Sequence, residues 1–354
     1  MMRNHNEYME YKPYDNFYDG YADPFGIASD DYKKMTLTRL DEKTYRVTYV
    51  DAAGGVFTAD IVKKVWGVWN MGAMTYTESD GEAHNMTSSA TDYEFAFRAT
   101  GKTPMSIRGG NHGNYPKDKT WVYYVDDSSY FNDRLLDITF YDGRSGERLI
   151  LDFVGDTVEV HGLRIVMHHN IYEMNYTEDN VLIRVERSYL YNGFDINMDA
   201  HLRMAQDVSF GKSFTAMLPV YKTYGNCAMF YRADGSTVFM KTPLSNTVNE
   251  TVLGVNSTNM EVWGENNPAL HISLVIHSPA DQFRSSTDDG KGYAGFREML
   301  GGVSNKVYFS MFSAPGVLKQ GESLHFKTTW AFSYRPDFRN PDREPDFWVG
   351  VPKQ

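Results

Sequence analysis

The sequence predicts an all-β protein, a large antiparallel β-sandwich with very little helix. About fifteen or more short runs alternate between apolar and polar residues and are separated by turn residues, which is the pattern of strands. Aromatic residues favour strands, and they make up 15% of the chain, with 25 Tyr, 21 Phe and 6 Trp. Because helical periodicity is almost absent, an antiparallel sandwich is the architecture that fits these runs.

The strands begin after an irregular lead-in. Residues 1–30 place tyrosines and phenylalanines among Asp, Asn, Gly and Pro, which predicts an aromatic-rich arm packed on the body, with a flexible tail as the alternative. Strands are predicted over 35–40 and 44–50, and the turn at 51–55 leads into a hairpin partner at 56–61. The further predicted strands are 93–99, 121–125, 135–141, 148–153, 157–160, 163–172, 181–191, 195–205, 214–220, 228–233, 238–241, 260–263, 271–277, 306–312 and 323–334.

Only one helix is predicted, over 292–300, in a short segment flanked by glycines. The 354-residue chain shows neither a repeat of fixed period nor a linker rich in Pro, Ser or Gly. We therefore expect one sandwich domain over 31–335, followed by an irregular tail over 336–354. Two stacked sandwiches that divide near 143–160 are the alternative.

Charge and cysteine content exclude several classes of function. The net charge is −11, and no Lys/Arg cluster offers the basic surface that nucleic acid or an anionic membrane requires. Cys227 is the only cysteine, which excludes an intrachain disulfide and a Cys-rich zinc site. No run approaches the about 18 apolar residues of a membrane helix, and Met1–Gly20 lacks the apolar core of a signal peptide. A secreted or cell-surface mature form, another export route and an intracellular location all stay open.

The common catalytic motifs are missing from the sequence. It contains no GxSxG elbow, P-loop, Rossmann fingerprint or HExxH. The serine-hydrolase, kinase and dehydrogenase classes therefore have no support.

A glycine-rich segment over 108–116 holds the densest group of chemistry-bearing side chains. Arg108, Asn111, His112 and Tyr115 supply a guanidinium, an amide, an imidazole and a phenol within eight positions. The three glycines of the segment let the backbone turn sharply or approach a bound molecule closely. We predict that this segment contributes to a site.

The strand predicted over 195–205 has one polar face. Side chains two positions apart in a strand point to the same side, which groups Asp195, Asn197, Asp199, His201 and Arg203. The opposite side is apolar and belongs to a core. We interpret the polar side as the floor of a groove, with a solvated outer face as the alternative.

The first part of this strand resembles a calcium loop only superficially. In the spacing Asp195-x-Asn197-x-Asp199, Ala200 and Gln206 stand where an EF-hand requires Gly and Glu. An EF-hand is therefore rejected. No metal or other cofactor is predicted, with a structural calcium ion of another kind as the alternative.

The strand predicted over 163–172 separates two neighbouring histidines. Arg164, His168, Asn170 and Tyr172 share one face, and His169 lies on the other face among apolar residues. Adjacent strand residues point in opposite directions, so the two histidines do not form a metal pair. We predict that His169 is a core residue and that His168 is the functional candidate.

A further candidate follows a strand that is predicted to end at Pro219. The segment 221–226 places Tyr221, Lys222 and Tyr224 in a predicted loop. Loops on β scaffolds often carry binding residues, although most are only surface connections.

The strand-rich pattern, the aromatic content, the Asn-His-Gly segment and the final strand GESLHFKTTWAF over 321–332 resemble the large β-sandwiches of carbohydrate-active proteins. The nearest comparison is the supersandwich of aldose epimerases and of polysaccharide lyases, with a jelly-roll-like sandwich as the related form. The resemblance covers about 35–334 and implies an oligo- or polysaccharide as partner. It says nothing about the oligomeric state.

The resemblance implies a polysaccharide lyase that cleaves a uronate-containing glycan by β-elimination. Such a site neutralises the uronate carboxylate, removes the adjacent proton and protonates the leaving oxygen. Arg108 and Asn111 would hold the carboxylate. The implied bases are His112 or His168, the implied acids are Tyr115 or Tyr172, and the implied substrate-binding residues are Asn170, His201, Arg203, Tyr221, Lys222 and Tyr224.

Two other hypotheses explain the same features. A non-catalytic glycan-binding or structural sandwich, of a cell-surface or phage-tail type, accounts for the aromatic content and the missing motifs. A glycoside hydrolase or sugar epimerase is the third hypothesis, and Glu186, Asp195 and Asp199 are the carboxylates available to it.

Overall fold

The computed structural model of the chain describes residues 26–64, 68–87, 95–100, 106–110, 133–172, 178–232, 235–242, 253–255, 259–277, 294–298, 304–310 and 316–338, with the single positions 244 and 257. These residues form 22 strands in three antiparallel sheets, and their helical segments are only three or four residues long. The predicted all-β sandwich is confirmed.

The first sheet is built mainly from the N-terminal part of the described chain. Its strands are β1 (Lys34–Asp41), β2 (Thr44–Val50), β3 (Val56–Lys63), β4 (Trp69–Thr77), β5 (Ala83–Asn85) and β9 (Thr157–His161). They lie in the order β5-β4-β3-β2-β1-β9. Neighbours in this meander follow each other in sequence, except that β9 returns to pair with β1.

The second sheet has nine strands and carries most of the polar residues discussed below. Its strands are β8 (Asp133–Asp142), β10 (Leu163–Tyr172), β11 (Val181–Asn192), β12 (Asp195–Met204), β14 (Cys227–Tyr231), β15 (Thr237–Lys241), β17 (Asn259–Gly264), β18 (Asn267–Ile276) and β22 (Ser323–Tyr334). The order is β15-β14-β17-β18-β22-β12-β11-β10-β8. The last long strand, β22, thus lies beside β12 in the middle of the sheet.

The third sheet has seven strands. They are β6 (Phe95–Thr100), β7 (Ser106–Gly110), β13 (Val208–Tyr221), β16 (Leu253–Val255), β19 (Ala294–Glu298), β20 (Ser304–Ser310) and β21 (Gly316–Leu318). Strand β13 lies at its centre and pairs with β6, β20 and β21. The short helix α1 (Lys222–Gly225) follows β13 directly.

All three sheets contribute to one apolar core. It includes Trp330 of the nine-stranded sheet, Phe57 of the six-stranded sheet, and Leu218 and Phe309 of the seven-stranded sheet. Each of these side chains is almost completely buried. We call the opposite side of the nine-stranded sheet its outer face.

Alternation along β10 and β12 follows the sequence prediction. On β12, Ile196, Met198, Ala200, Leu202 and Met204 all point into the core. The intervening polar side chains point to the outer face. Likewise His169 of β10 is fully buried, which confirms the prediction that it is a core residue, whereas His168 lies on the outer face.

The predicted helix over 292–300 is wrong, because the described part of this segment is strand β19. Its backbone pairs with β16 on one side and with β20 on the other. Backbone hydrogen bonds to two neighbouring strands stabilise this five-residue segment, whereas an isolated helical turn would carry the free-energy cost of helix nucleation.

The predicted strand over 148–153 is also wrong. Arg148 makes a single bridge with Tyr141, and the chain then leaves the ladder. The guanidinium of Arg39 donates to the carbonyl oxygens of Leu151 and Asp152 at 3.0 and 2.7 Å. A side chain therefore satisfies carbonyls that a neighbouring strand would otherwise bind.

The predicted loop over 221–226 is wrong in most of its length. Strand β13 continues through Pro219 to Tyr221, and helix α1 covers the next four residues. The predicted strand over 121–125 lies outside the described residues. In the described part of the chain, no helix is long and apolar enough to cross a membrane.

Candidate functional site

Ionisable side chains form a row across five neighbouring strands of the nine-stranded sheet. The row consists of Asp137, His168, Glu186, His201 and His325, one from each of β8, β10, β11, β12 and β22, and we call it the acid–base row. Each member is the cross-strand partner of the next. At a strand spacing of about 4.8 Å the row is on the order of 19 Å long.

His168 lies between two carboxylates near one end of the row. Its Nδ1 is 3.4 Å from Asp137 Oδ2, and its Nε2 is 3.1 Å from Glu186 Oε2. Burial alone would lower the pKa of His168, but hydrogen bonds and charge interactions with Asp137 and Glu186 outweigh it and raise the pKa to about 9. The His168 side chain, 18% exposed, is therefore an imidazolium at neutral pH.

His168 is expected to stabilise the fold in a pH-dependent way. Its pKa in the folded protein is about 9 and exceeds the ordinary value of 6.5. The stabilisation is therefore complete below pH 6.5 and is lost as the pH rises through 9. The stabilisation is on the order of 2 kcal/mol. It is smaller than the pKa difference alone would give, because solvent screens the half-exposed Asp137.

Urea unfolding of the wild type and His168→Asn measures this contribution. The titration of other groups cancels in the difference between the two free energies of unfolding. This difference should fall by about 2 kcal/mol from about pH 6 to about pH 10. His161→Asn, at a partly exposed histidine of β9, is the matched control for the general effect of replacing a histidine by asparagine. An equal difference for His168→Asn at both pH values would contradict the prediction.

Asp199 organises the other end of the row. Its Oδ1 accepts hydrogen bonds from His325 Nε2 at 2.7 Å and His201 Nε2 at 3.1 Å, and its Oδ2 is 3.6 Å from Lys327 Nζ. Burial raises the pKa of Asp199, but the hydrogen bonds from His201 and His325 bring it well below its usual range. The two imidazole rings stack with centroids 3.9 Å apart.

Another polar group lies on the inner side of the same sheet. Asp133 and His169 are fully buried, with Oδ1 and Nδ1 3.5 Å apart. Burial raises the pKa of Asp133, and the charge of Arg187 partly offsets that rise. Burial, together with the charges of Arg187 and His168, lowers the pKa of His169. This group faces the core, so we assign it a structural role.

The structure brings some of the predicted site residues together. His168 and His201 share the outer face two strands apart, and the exposed Arg203 lies two positions beyond His201 on the same face. Asn170 and Tyr172 are buried, and the amide of Asn170 donates to the Tyr172 hydroxyl at 3.2 Å. These two residues have little access to a ligand.

Other predicted site residues lie elsewhere or outside the described residues. Tyr221 ends β13, while Lys222 and Tyr224 lie on α1, and Lys222 is buried. The backbone of Arg108 belongs to β7, but its side chain is not among those that the structure describes. Asn111, His112 and Tyr115 also lie outside the described residues, so their roles stay predictions.

Sequence reasoning missed Asp137, His325 and Lys327 as members of the site. His325 and Lys327 alternate within the final strand, which is the pattern of a polar face. Their meeting with Asp199 depends on the pairing of β12 with β22, more than 120 positions later in the chain. The sequence therefore indicated a polar face on the final strand, but it did not show that β12 is the neighbour of this strand.

No protein-family model matches the chain, and no curated protein matches it significantly. Similar solved structures include a galactose mutarotase-like protein from Clostridium acetobutylicum, with 8% identity, a TM-score of 0.42, and coverage of 86% of this chain and 99% of that one. A putative aldose 1-epimerase from Escherichia coli has 9% identity, a TM-score of 0.37, and coverage of 85% and 99%.

A GH36 α-galactosidase from Geobacillus stearothermophilus is also similar, with 8% identity and a TM-score of 0.41. The comparison covers 81% of this chain but only 40% of the α-galactosidase. The three names fall within the carbohydrate-active proteins that the sequence resembles. With TM-scores below 0.5, these likenesses carry no weight in the assignment of an activity.

Proposed function

We propose that the protein is carbohydrate-active and acts on neutral sugars by proton transfer, as an epimerase or glycoside hydrolase does. His168 is the proton donor, and Glu186 is the carboxylate that accepts a proton. The observation that carries this proposal is the partly exposed His168 imidazole held between Asp137 and Glu186. A histidine in that setting keeps its proton at neutral pH.

Both reactions need such a donor. Interconversion of anomers requires a proton at the ring oxygen while another group removes the proton of the anomeric hydroxyl. Hydrolysis requires a proton at the glycosidic oxygen as the bond to the leaving group breaks. His168 supplies the proton in either case from its Nδ1–H, which exchanges the 3.4 Å contact with Asp137 for the sugar oxygen, and the neighbouring Glu186 carboxylate offers the accepting oxygen.

The same surroundings give less support to the β-elimination implied by the sequence resemblance. A uronate carboxylate brought to His168 would meet the negative charges of Asp137 and Glu186. The two carboxylates and the His168 imidazolium together carry a net negative charge, which opposes the binding of a further carboxylate. Arg108 and Asn111, which the resemblance assigns to neutralise that carboxylate, lie outside the described side chains. A neutral sugar is therefore the better substrate class.

Three readouts on the wild-type protein test the proposal. The assays are polarimetry of freshly dissolved α-glucose and α-galactose, release of reducing ends from neutral polysaccharides, and ultraviolet absorbance with uronate polysaccharides. We expect faster anomer interconversion or new reducing ends, without the absorbance of an unsaturated product. Absorbance from uronates would favour the lyase, and retention on immobilised glycans with no product would favour the binding protein.

A further inference from the structure

We propose that Asp199, His201 and His325 bind a divalent first-row transition-metal ion on the outer face. Asp199 and His201 form an Asp-x-His sequence on β12, and His325 is the cross-strand partner of His201 on β22. The three side chains each offer one ligand atom, and these atoms all lie within 4.8 Å of one another. This inference goes beyond sugar chemistry and does not depend on it.

The strand geometry explains why the three groups converge. Residues two positions apart point to the same side of a strand, and paired residues on neighbouring antiparallel strands have Cα atoms about 4.5–5.5 Å apart. One pair along the strand and one pair across it therefore make a compact triangle. The Asp199 side chain, 1% exposed, is held at the base of this triangle.

The ligand separations agree with a metal centre. His325 Nε2 and His201 Nε2 are 2.7 and 3.1 Å from Asp199 Oδ1. Ligands bound tetrahedrally at about 2.1 Å would be about 3.4 Å apart, so the imidazoles would have to move away from Asp199 by about 0.7 Å or less to admit an ion. An ion would replace the hydrogen-bonding protons that now join the imidazoles to the carboxylate. Lys327 Nζ lies 3.6 Å from the other oxygen, Oδ2.

The rings must turn to bind one ion. They stack at an interplanar angle of 12°, which directs their Nε2 lone pairs along nearly parallel lines. His325 has a 43% exposed side chain, so its ring has room to rotate about its side-chain bonds. We expect this rotation on binding, while His201 and Asp199 stay in place.

The donor set indicates the class of metal. Two imidazoles and one carboxylate suit Zn²⁺, Co²⁺, Mn²⁺ or Fe²⁺ better than Ca²⁺ or Mg²⁺, which prefer oxygen ligands. Three protein ligands also leave coordination positions for water or a substrate oxygen, as in catalytic rather than structural metal sites.

A second group of potential ligands provides an internal comparison. Glu78, Glu82 and His84 also bring their ligand atoms within 4.8 Å. One oxygen of Glu78 contacts the ligand atom His84 Nε2 at 2.9 Å, and the other accepts a hydrogen bond from the Tyr334 hydroxyl at 2.7 Å. Glu82 is exposed. Substitution of Glu82 therefore separates any binding at this group from binding at Asp199.

Calorimetric titration of the chelator-treated full chain with Zn²⁺ tests the site, and the visible absorption of added Co²⁺ reports its ligands. We expect one site that persists in Glu82→Gln. In His325→Gln we expect at least tenfold weaker binding and a loss of the Co²⁺ bands. Asp199→Asn should behave like His325→Gln, and His161→Asn should bind as the wild type does.

The proposal is overturned if His325→Gln binds Zn²⁺ as tightly as the wild type, or if only Glu82→Gln loses binding. His325 is partly exposed, so His325→Gln is the variant that is expected to fold even if Asp199→Asn does not. Circular dichroism of each variant establishes that the fold is kept. Because the readout is metal binding alone, failure of the sugar assays leaves this test intact.

Discussion

Replacement of Arg187 by methionine is expected to lower the free energy of unfolding by about 3–5 kcal/mol. The Arg187 side chain is completely buried, although it is one of the most polar groups in the protein. Its Nη2 donates to the carbonyl oxygen of Trp69 at 2.8 Å, which links β11 to β4 of the facing sheet. Its charge also acts on the buried Asp133.

The loss has two physical parts. Methionine removes the hydrogen bond across the core, so the buried carbonyl of Trp69 loses its donor. It also removes the positive charge that partly compensates the fully buried Asp133, and an uncompensated buried carboxyl group must then take up a proton for the protein to fold. Apolar contacts of the methionine chain recover only some of this cost.

Urea unfolding at neutral pH measures the effect. Arg203→Met, at an exposed position of the same sheet, is the matched control and should change stability by at most about 0.5 kcal/mol. The double variant Asp133→Leu/Arg187→Met should be more stable than Arg187→Met alone, because it removes the buried carboxyl group whose protonation Arg187→Met requires for folding. An Arg187→Met protein within about 1 kcal/mol of the wild type would contradict this account.

The sequence could predict the faces of the strands but not their neighbours. Alternation alone placed His168 outward and His169 inward, because one residue of shift along a strand reverses the side on which a group lies. It could not identify Asp137 and Glu186 as the partners of His168. Those contacts depend on the pairing of β8, β10 and β11, which is set by packing of the whole sheet.

The predictions from local sequence patterns were wrong where the backbone bonds to a distant part of the chain. The residues over 292–300 carry helix-compatible side chains, yet ladders on both sides hold Ala294–Glu298 as a strand. Carbonyls near Leu151 bind the Arg39 side chain instead of a strand. In both cases the deciding contact lies far away in the sequence, where neither propensity nor periodicity can detect it.

Replacement of His168 by asparagine is expected to reduce turnover of the sugar substrate by about 10²–10⁴-fold. Asparagine keeps an N–H that can bond to Glu186 or Asp137, but it cannot transfer a proton. If His168 is the proton donor, kcat falls while KM changes little, because the loss concerns the transition state rather than binding of the ground state. Initial rates over a range of concentrations of the substrate identified with the wild type give kcat and KM separately.

The pH dependence distinguishes a proton donor from a residue that only supports the site. The wild-type rate should fall as the pH rises through about 9, where His168 loses its proton, and the residual rate of His168→Asn should lack this decline. His161→Asn should retain both the rate and the pH profile of the wild type. A His168→Asn protein that keeps most of its activity, or an unchanged alkaline decline, would rule out His168 as the donor.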